Sequence, residues 1–245
     1  MMNQPEGEKR QKILVVIPAL NEALTISKVI AGVKDSLPEV DILVVDDGST
    51  DETAKLAKTA GARVLQHPFN LGVGSALQTG FKYAGKEGYT LVIQLDADGQ
   101  HDPVYLPKFI QTLKESGADL VIGSRFLGGE FSPISFSRLF GIKIFSGLIY
   151  LATGQRITDP TSGYRGLTAR LLNFFSSDLF PQDFPDADLI ITVLRSGFKI
   201  KEIPVVMKPR LTGLSLHRGL RPLYYIYKMF LSIFVTLFRP PKEVP

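Results

Sequence analysis

The sequence predicts an α/β fold in which a mostly parallel central sheet carries helices on both faces. Short apolar runs rich in Val, Ile and Leu alternate along the first half of the chain with segments of helical length. This alternation is typical of parallel sheets, whose strands are buried on both faces. The 245 residues, 44% of them hydrophobic, are enough to build the core of such a domain.

Strand and helix patterns follow one another up to residue 122. The predicted strands are 13–17, 42–45, 63–66, 89–96 and 120–122. The predicted helices are 23–36, a segment that ends near Ala60, 74–84 and 104–116. Asn21 and Thr25 are the candidate caps of the first helix, because their short polar side chains accept hydrogen bonds from free backbone N–H groups.

The pattern changes after Gly123. An apolar helix is predicted over 136–152, a turn-rich loop over 158–163, a short helix over 187–196 and a strand over 200–207. A last helix, 223–238, is roughly 24 Å long, whereas a membrane crossing needs about 20 residues. Its polar residues form one narrow stripe and the rest is apolar. We expect lipid, a partner chain or a groove of the domain to cover this helix.

Charge is distributed unevenly along the chain. Residues 1–194 contain 18 Lys and Arg against 22 Asp and Glu, whereas residues 195–245 contain 10 against 2. The basic end predicts an anionic partner: a phosphorylated substrate or a membrane surface, with nucleic acid disfavoured because no nucleic-acid-binding motif appears. No cysteine is present, which excludes disulfides and thiolate chemistry. Residues 1–11 are polar and predict a flexible tail without a signal peptide.

Asp96 and Asp98 follow the apolar run 89–95 and are separated by one residue. The carboxyl ends of the strands are where open α/β sheets bind ligands. Two acids in such a crevice need a cation or protons to offset their charge. Carboxylate oxygens favour Mg²⁺ or Mn²⁺, which commonly share their coordination with substrate phosphates. This pair therefore predicts a metal–diphosphate site and a nucleotide-linked substrate.

Polar loops follow the first four strands, and a parallel sheet gathers them at one edge. They are Pro18-Ala-Leu-Asn-Glu22, Asp46-Asp-Gly-Ser-Thr-Asp51, Asn70-Leu-Gly-Val-Gly74 and Asp96-Ala-Asp-Gly-Gln100. Glu22, Asp46 and Asp47 are candidates to accept hydrogen bonds from a base or a ribose hydroxyl of the donor. Gly72 and Gly74 allow the backbone to approach a phosphate or sugar closely.

These four motifs, in this order, resemble glycosyltransferase family 2 and, within it, the dolichyl/polyprenyl-phosphate mannose (or glucose) synthase branch. The resemblance continues through later motifs and spans about residues 12–216. Those motifs are Gly123-Ser-Arg125, Asp159-Pro-Thr-Ser-Gly-Tyr-Arg165 and Arg210-Leu-Thr-Gly-Leu-Ser215. We expect residues 217–245 to form a basic, apolar helix and tail that faces a membrane or a partner.

The resemblance implies a GT-A fold and inverting transfer from a nucleotide sugar, UDP- or GDP-linked. Carried over by position, the nucleoside pocket comprises Pro18, Leu20, Glu22, Val45 and Asp47. The metal and diphosphate site comprises Asp96, Ala97, Asp98 and Gln100. By the same resemblance, Arg125 and Arg210 would contact the phosphates, and Arg138 and Ser215 would contact the acceptor. Family members often carry a basic residue directly after the serine, where this chain has Leu216.

The acceptor decides whether a base is needed. A lipid phosphate is already an anion, whereas a hydroxyl acceptor requires a general base within hydrogen-bond reach. Asp186, Asp188 and Asp159 are the candidates for that base, with Asp188 preferred.

Our working hypothesis is a metal-dependent hexosyltransferase at the cytoplasmic face of the membrane, acting on a polyprenyl phosphate or another membrane-linked acceptor. Two alternatives remain at this point. One is a nucleotide-sugar-binding subunit that is active only with a membrane partner. The other is a sugar-phosphate nucleotidyltransferase. Such an enzyme is expected to have a loop rich in Gly, Arg and Lys after the first strand, whereas this chain has Pro18-Ala-Leu-Asn-Glu22 there, which disfavours this alternative.

Overall fold

The computed structural model describes residues 11–128, 136–176, 180, 186–209 and 221–238, without side chains for 136–138 and 221–226. Within these residues, seven strands form one sheet in the order β3-β2-β1-β4-β6-β5-β7. The strands are β1 (Ile13–Ala19), β2 (Asp41–Asp46), β3 (Arg63–Gln66), β4 (Leu91–Gln94), β5 (Leu120–Ser124), β6 (Arg165–Thr168) and β7 (Ile200–Pro204). The helices are α1 (Ile26–Ser36), α2 (Thr53–Thr59), α3 (Val73–Lys86), α4 (Leu106–Glu115), α5 (Phe136–Thr153), α6 (Ala169–Phe175), α7 (Ala187–Arg195) and α8 (Arg221–Phe238).

The predicted α/β architecture with a mostly parallel sheet is confirmed. Strand β1 pairs in parallel with β2 and β4, β2 with β3, and β5 with β7. The carboxyl ends of β1 to β4 therefore meet at one edge, as they must when parallel strands neighbour each other.

Helices cover both faces of the sheet. Successive residues of a strand point to opposite faces, so β1 contributes Leu14 and Val16 to one core and Val15 and Ile17 to the other. The first core contains buried residues of α3, α5, α6 and α7, and the second contains those of α1 and α4. This two-sided burial explains the uninterrupted apolar composition of the central strands.

Two elements of the structure were not predicted from the sequence. The short strand β6 lies antiparallel between β4 and β5, and α6 begins directly after it. The ends of some elements also differ from the prediction. The predicted strand 89–96 is a regular strand only over β4, and α1 begins at Ile26 rather than at residue 23. Antiparallel β6 puts the 158–163 loop, which precedes it, at the same edge as the loops after β4 and β5.

The C-terminal helix α8 packs on the domain through the buried residues Met229 and Ile233 and through polar contacts beside them. Ser232 donates a hydrogen bond to the Asp188 carboxylate of α7. Arg195, at the end of α7, donates to the carbonyl oxygens of Thr236 and Leu237 at 2.7 and 3.0 Å. The outward residues are Tyr227, Phe230, Leu231, Phe234, Val235, Leu237 and Phe238. No helix in the described part of the chain is both long and apolar enough to cross a bilayer.

Replacing Gly80 with Ala is expected to destabilise the domain, although alanine is the better helix former. A Cβ atom on Gly80 of α3 would stand 2.5 Å from Cγ1 of Val16 in β1, so the helix would have to move off the sheet. Overpacking of this kind costs about 1–3 kcal/mol. Urea unfolding measures the loss. The same substitution at Gly85, where the nearest atom is 3.5 Å away, is the control and should leave stability equal or higher.

Candidate active site

The loops after β1 and β2 are joined by hydrogen bonds. Asn21, which has the left-handed φ of 54°, donates its N–H to Ser49 Oγ at 2.9 Å and accepts the N–H of Thr50 at 2.8 Å. The N–H of Ala23 donates to Asp51 Oδ2 at 3.1 Å. These bonds make the two loops one wall of the site. Asn21 tolerates the left-handed conformation better than most residues, which explains asparagine at this turn.

Asp47 holds the loop before α3. One carboxylate oxygen lies 2.7 Å from His67 Nδ1 and accepts the N–H of Leu71 at 3.0 Å, and the other accepts the N–H of Gly72 at 2.9 Å. Gly72 has a φ of 97°, which favours glycine. Asp46 is buried and accepts hydrogen bonds from Ser49 and Gln66 within the protein. Both acids therefore organise loops in this structure.

The other residues predicted for the nucleoside pocket differ in exposure. Pro18 and Val45 are buried, and Val45 packs in the core. Leu20 is exposed on the wall, whereas Glu22 is buried and its carboxylate accepts a hydrogen bond from Thr25 at 3.0 Å. Of this set, the Leu20 side chain is the accessible one.

Asp96 and Asp98 follow β4 at the same edge. The Asp96 side chain is 39% exposed, and its backbone N–H donates to Nδ1 of His101 at 3.0 Å. Asp98 is half-buried, and its Oδ1 accepts the N–H of Gln100 at 3.0 Å. Ala97 is buried between the two acids. The turn thus presents two acids that solvent reaches.

The residues around Asp96 fit a divalent cation. In the described ranges, no three acidic, histidine or cysteine side chains cluster as a metal site of their own. Two carboxylates that leave further coordination positions to a substrate are the donor set that Mg²⁺ and Mn²⁺ commonly use. Glycine at position 163 leaves a gap beside Asp96, because a Cβ there would approach its carboxylate oxygens to 3.1 and 3.2 Å.

Arg125, predicted to contact phosphate, is buried in an ion pair. Its guanidinium donates to both carboxylate oxygens of Asp159 at 2.6 Å and to Thr161 Oγ1 at 3.0 Å. Arg125 is 5% exposed and Asp159 is fully buried. The carboxylate of Glu202 in β7 accepts the backbone N–H of Asp159 at 2.9 Å. In this geometry Arg125 and Asp159 fix the 158–163 loop to β5 and β7.

Asp188, the preferred general base, is also buried. Its carboxylate accepts hydrogen bonds from Ser232 and from the N–H of Leu189, and burial raises its pKa above the ordinary value. Nearby Arg165 is buried as well and lies 3.6 Å from the half-buried Asp186. Burial lowers the pKa of Arg165, while Asp186, Asp188, Asp96 and Asp159 raise it. A buried cation therefore lies among four acids at this edge.

Some of the predicted site lies outside the described residues, namely the side chain of Arg138 and all of Arg210 and Ser215. Conversely, the structure brings to the site His67, His101, Arg165 and Glu202, for which the sequence analysis predicted no role. Arg165 ends a motif quoted above and His101 directly follows another, which was the available signal. The contacts of His67 with Asp47 and of Glu202 with Thr158 join segments 20 and 44 residues apart, which no local pattern indicates.

The chain is similar to known proteins over most of its length. The model of the family described as glycosyl transferase family 2 matches residues 14–176. Polyprenol monophosphomannose synthase of Mycolicibacterium smegmatis is 32% identical over 220 residues, covering 85% of this chain and 82% of that protein. Undecaprenyl-phosphate mannosyltransferase of Micrococcus luteus is 33% identical over 218 residues, covering 85% and 88%.

A solved structure shows the same fold. Glucosyl-3-phosphoglycerate synthase from Mycobacterium tuberculosis matches with a TM-score of 0.72 at 22% identity, over 94% of this chain and 80% of that chain. The shared architecture is GT-A-like. With the family model covering most of the chain and relatives one-third identical across it, this protein belongs to glycosyl transferase family 2.

Proposed function

We propose that this protein transfers a hexose from a UDP- or GDP-linked sugar to a polyprenyl phosphate or another membrane-linked acceptor, with Mg²⁺ or Mn²⁺ as cofactor. The observation that carries the proposal is the position of Asp96 and Asp98. Both acids follow β4 at the same edge of the sheet as the loops after β1 and β2, which are joined to each other by hydrogen bonds. The names of the M. smegmatis and M. luteus relatives support a lipid-phosphate acceptor.

Asp96 and Asp98, with Gln100 beside them, would hold the cation. When bound, such an ion neutralises charge that develops on the departing nucleoside diphosphate. The synthase from M. tuberculosis, similar in fold, was solved in complex with Mn²⁺, UDP and phosphoglyceric acid, which supports this assignment. The protein itself holds the turn in place through His101 and the N–H of Gln100.

The wall formed by the 20–23 and 48–53 loops would bind the nucleoside. Asp46 and Asp47 act mainly by fixing these loops and the segment before α3, since their oxygens already accept hydrogen bonds from the protein. Leu20 offers an exposed apolar surface to the flat face of a base. We assign Arg125 the role of fixing the 158–163 loop, and phosphate contact from the protein to Arg210.

Burial of the candidate bases supports a phosphate acceptor. Asp159 is fully buried against Arg125, and Asp188 is buried with its carboxylate engaged by Ser232 and Leu189. A general base must come within hydrogen-bond reach of the acceptor hydroxyl. A lipid phosphate has no such requirement, because its attacking oxygen is already anionic. Asp186, half-buried, is the remaining candidate base for a hydroxyl acceptor.

The distribution of exposed apolar side chains supports membrane-surface binding. In the described ranges, the large exposed ones lie in the segments that follow strand carboxyl ends, including the first residue of α3, and on α5 and α8. Those after the strands are Leu20, Leu24, Phe69, Leu71, Val73, Val104, Leu127 and Val206. One side of the domain therefore carries both the site and the apolar loops. The net charge of the last 51 residues, with 10 basic and 2 acidic side chains, would favour anionic lipid.

Replacing Phe234 with Asp should reduce binding to vesicles of phosphatidylcholine and phosphatidylglycerol by about tenfold or more. Phe234 is exposed on α8, and withdrawing a phenylalanine from an apolar phase costs about 1.5–3 kcal/mol. Co-sedimentation with vesicles measures the change. Thr59→Asp, which adds the same charge on exposed α2 without removing apolar surface, should bind like wild type. Equal binding by Phe234→Asp and wild type would contradict the membrane role of α8.

The proposed function is tested by a thermal-shift panel of UDP-, GDP- and dTDP-sugars with and without Mn²⁺, followed by transfer to polyprenyl phosphate. A ligand that binds the folded state raises the unfolding midpoint. We expect one nucleotide class to raise the midpoint only with the metal, and its labelled sugar to appear in the lipid fraction. Absence of stabilisation by every nucleotide sugar would reject the donor site.

The same assays separate the two alternatives. Pyrophosphate release from a nucleoside triphosphate and a sugar phosphate would identify a nucleotidyltransferase. Donor binding without transfer, restored by co-expression with a membrane protein, would identify a subunit of a larger enzyme.

A further inference from the structure

The loop between α5 and β6 lies against Asp96. A Cβ atom built on Gly163 would stand 3.1 and 3.2 Å from the two carboxylate oxygens of Asp96, and 3.5 Å from their carbon. Contacts of 3.1 Å are closer than ordinary van der Waals separation, so one partner would have to shift. Gly163 is not among the glycines with positive φ. Steric space for Asp96, and not backbone conformation, therefore calls for glycine here.

This loop is poorly able to yield to a side chain at Gly163. At its start, the Glu202 carboxylate accepts the N–H groups of Thr158 and Asp159 at 2.8 and 2.9 Å. At its end, Arg165 donates from Nε to the carbonyl oxygen of Ser162 at 2.8 Å. Both anchors are partly or fully buried, and the charge on each strengthens its hydrogen bonds. A methyl group on Gly163 would therefore displace Asp96 more readily than the loop.

Asp96 is also restrained by His101. The backbone N–H of Asp96 donates to His101 Nδ1 at 3.0 Å, and Nε2 of the same ring lies 3.6 Å from Asp96 Oδ2. The imidazole stacks on Tyr164, with ring centroids 4.8 Å apart, and the Tyr164 hydroxyl donates to the carbonyl oxygen of Asp102 at 3.0 Å. Because Tyr164 directly follows Gly163, the segment that lies against the Asp96 carboxylate also supports His101.

We infer that Gly163 is a positioning residue, whose missing side chain sets the location of the Asp96 carboxylate against a loop anchored by Glu202 and Arg165. The inference rests on the proposed function, in which Asp96 binds the divalent ion. Residues that orient a metal ligand typically change metal affinity about 10- to 100-fold when replaced. Gly163→Ala should thus weaken Mn²⁺ binding by about 10- to 100-fold while the fold is retained.

The test titrates Mn²⁺ into the full-length protein by calorimetry, with UDP or GDP present. Gly163→Ala is compared with wild type, with Gly85→Ala as the matched glycine control and with Asp96→Asn as the ligand control. Gly85→Ala should bind Mn²⁺ like wild type, because its Cβ meets only ordinary contacts. Unfolding midpoints measured without metal show that each variant is folded at the titration temperature.

Arg165→Lys provides a second, independent variant. Lysine keeps the positive charge but not the paired geometry of the guanidinium, so about tenfold weaker Mn²⁺ binding is expected if Arg165 positions the loop. A role of Arg165 as charge alone predicts no change. The inference is overturned if folded Gly163→Ala and Arg165→Lys both bind Mn²⁺ like wild type while Asp96→Asn does not. If Asp96→Asn itself binds like wild type, the proposed metal site is what fails.

Discussion

Asp98→Asn is expected to lower kcat/KM for sugar transfer by about a thousandfold or more, equivalent to roughly 4 kcal/mol of lost transition-state stabilisation. The asparagine has the same shape, and its Oδ1 can still accept the N–H of Gln100, so the turn after β4 keeps its conformation. The charge that would offset the cation is lost. The effect is measured by steady-state kinetics across a range of Mn²⁺ concentrations, with the nucleotide sugar that raises the unfolding midpoint of the wild-type protein.

Asp41→Asn is the matched control for this change. Asp41 begins β2, at the opposite end of that strand from the site, where it accepts a hydrogen bond from the Tyr89 hydroxyl at 2.9 Å. Its replacement should leave kcat/KM within a few-fold of wild type. Wild-type turnover by Asp98→Asn, at any metal concentration, would remove Asp98 from the proposed metal site.

Asp159→Ala is expected to produce the largest loss of stability. It leaves the Arg125 guanidinium buried without its carboxylate, and breaking a buried ion pair in this way costs about 3–5 kcal/mol. At about 2–4 °C per kcal/mol for a chain of this size, the unfolding midpoint should fall by roughly 10 °C. Urea denaturation and calorimetry both measure the loss.

An exposed ion pair provides the comparison. Lys55 on α2 and Glu52, which directly precedes the helix, are 74% and 64% exposed, and Lys55→Ala should leave the unfolding midpoint close to that of wild type because water screens the pair. An equally small shift for Asp159→Ala would mean that the Arg125–Asp159 pair contributes little to stability. The role of Arg125 in fixing the 158–163 loop would then be rejected, and the phosphate contact predicted from the sequence would be the remaining role.

The strands and their direction could be predicted because burial on both faces leaves a clear apolar signature. Strand β6 could not, since Arg165-Gly-Leu-Thr168 has four residues, one charged and one glycine, and shows no period. Strand β6 pairs with β5, more than 40 residues earlier in the chain, and with β4, more than 70 residues earlier. Local pattern carries no information about such contacts.

The helical character of α8 was predicted, but the direction of its faces follows from tertiary contacts. Met229 and Ile233 are buried in the core, as expected for apolar residues of a packed helix. Ser232 lies on the same side because Asp188 offers it an acceptor, and the end of the helix is held by Arg195. Similarly, the position of Arg125 after β5 predicted a substrate contact. Nothing local to Arg125 indicated that Asp159, 34 residues later, would neutralise it.

The seam between Asn21 and the Ser49–Thr50 turn has a thermodynamic consequence. Both loops are already ordered by mutual hydrogen bonds, so a nucleotide sugar bound there, as proposed above, would lose its own freedom without having to immobilise the protein. Preorganisation of this kind makes affinity depend on how well the nucleoside matches a rigid template. Substitutions along the seam would therefore weaken donor binding through entropy, even where they remove no atom that contacts the donor.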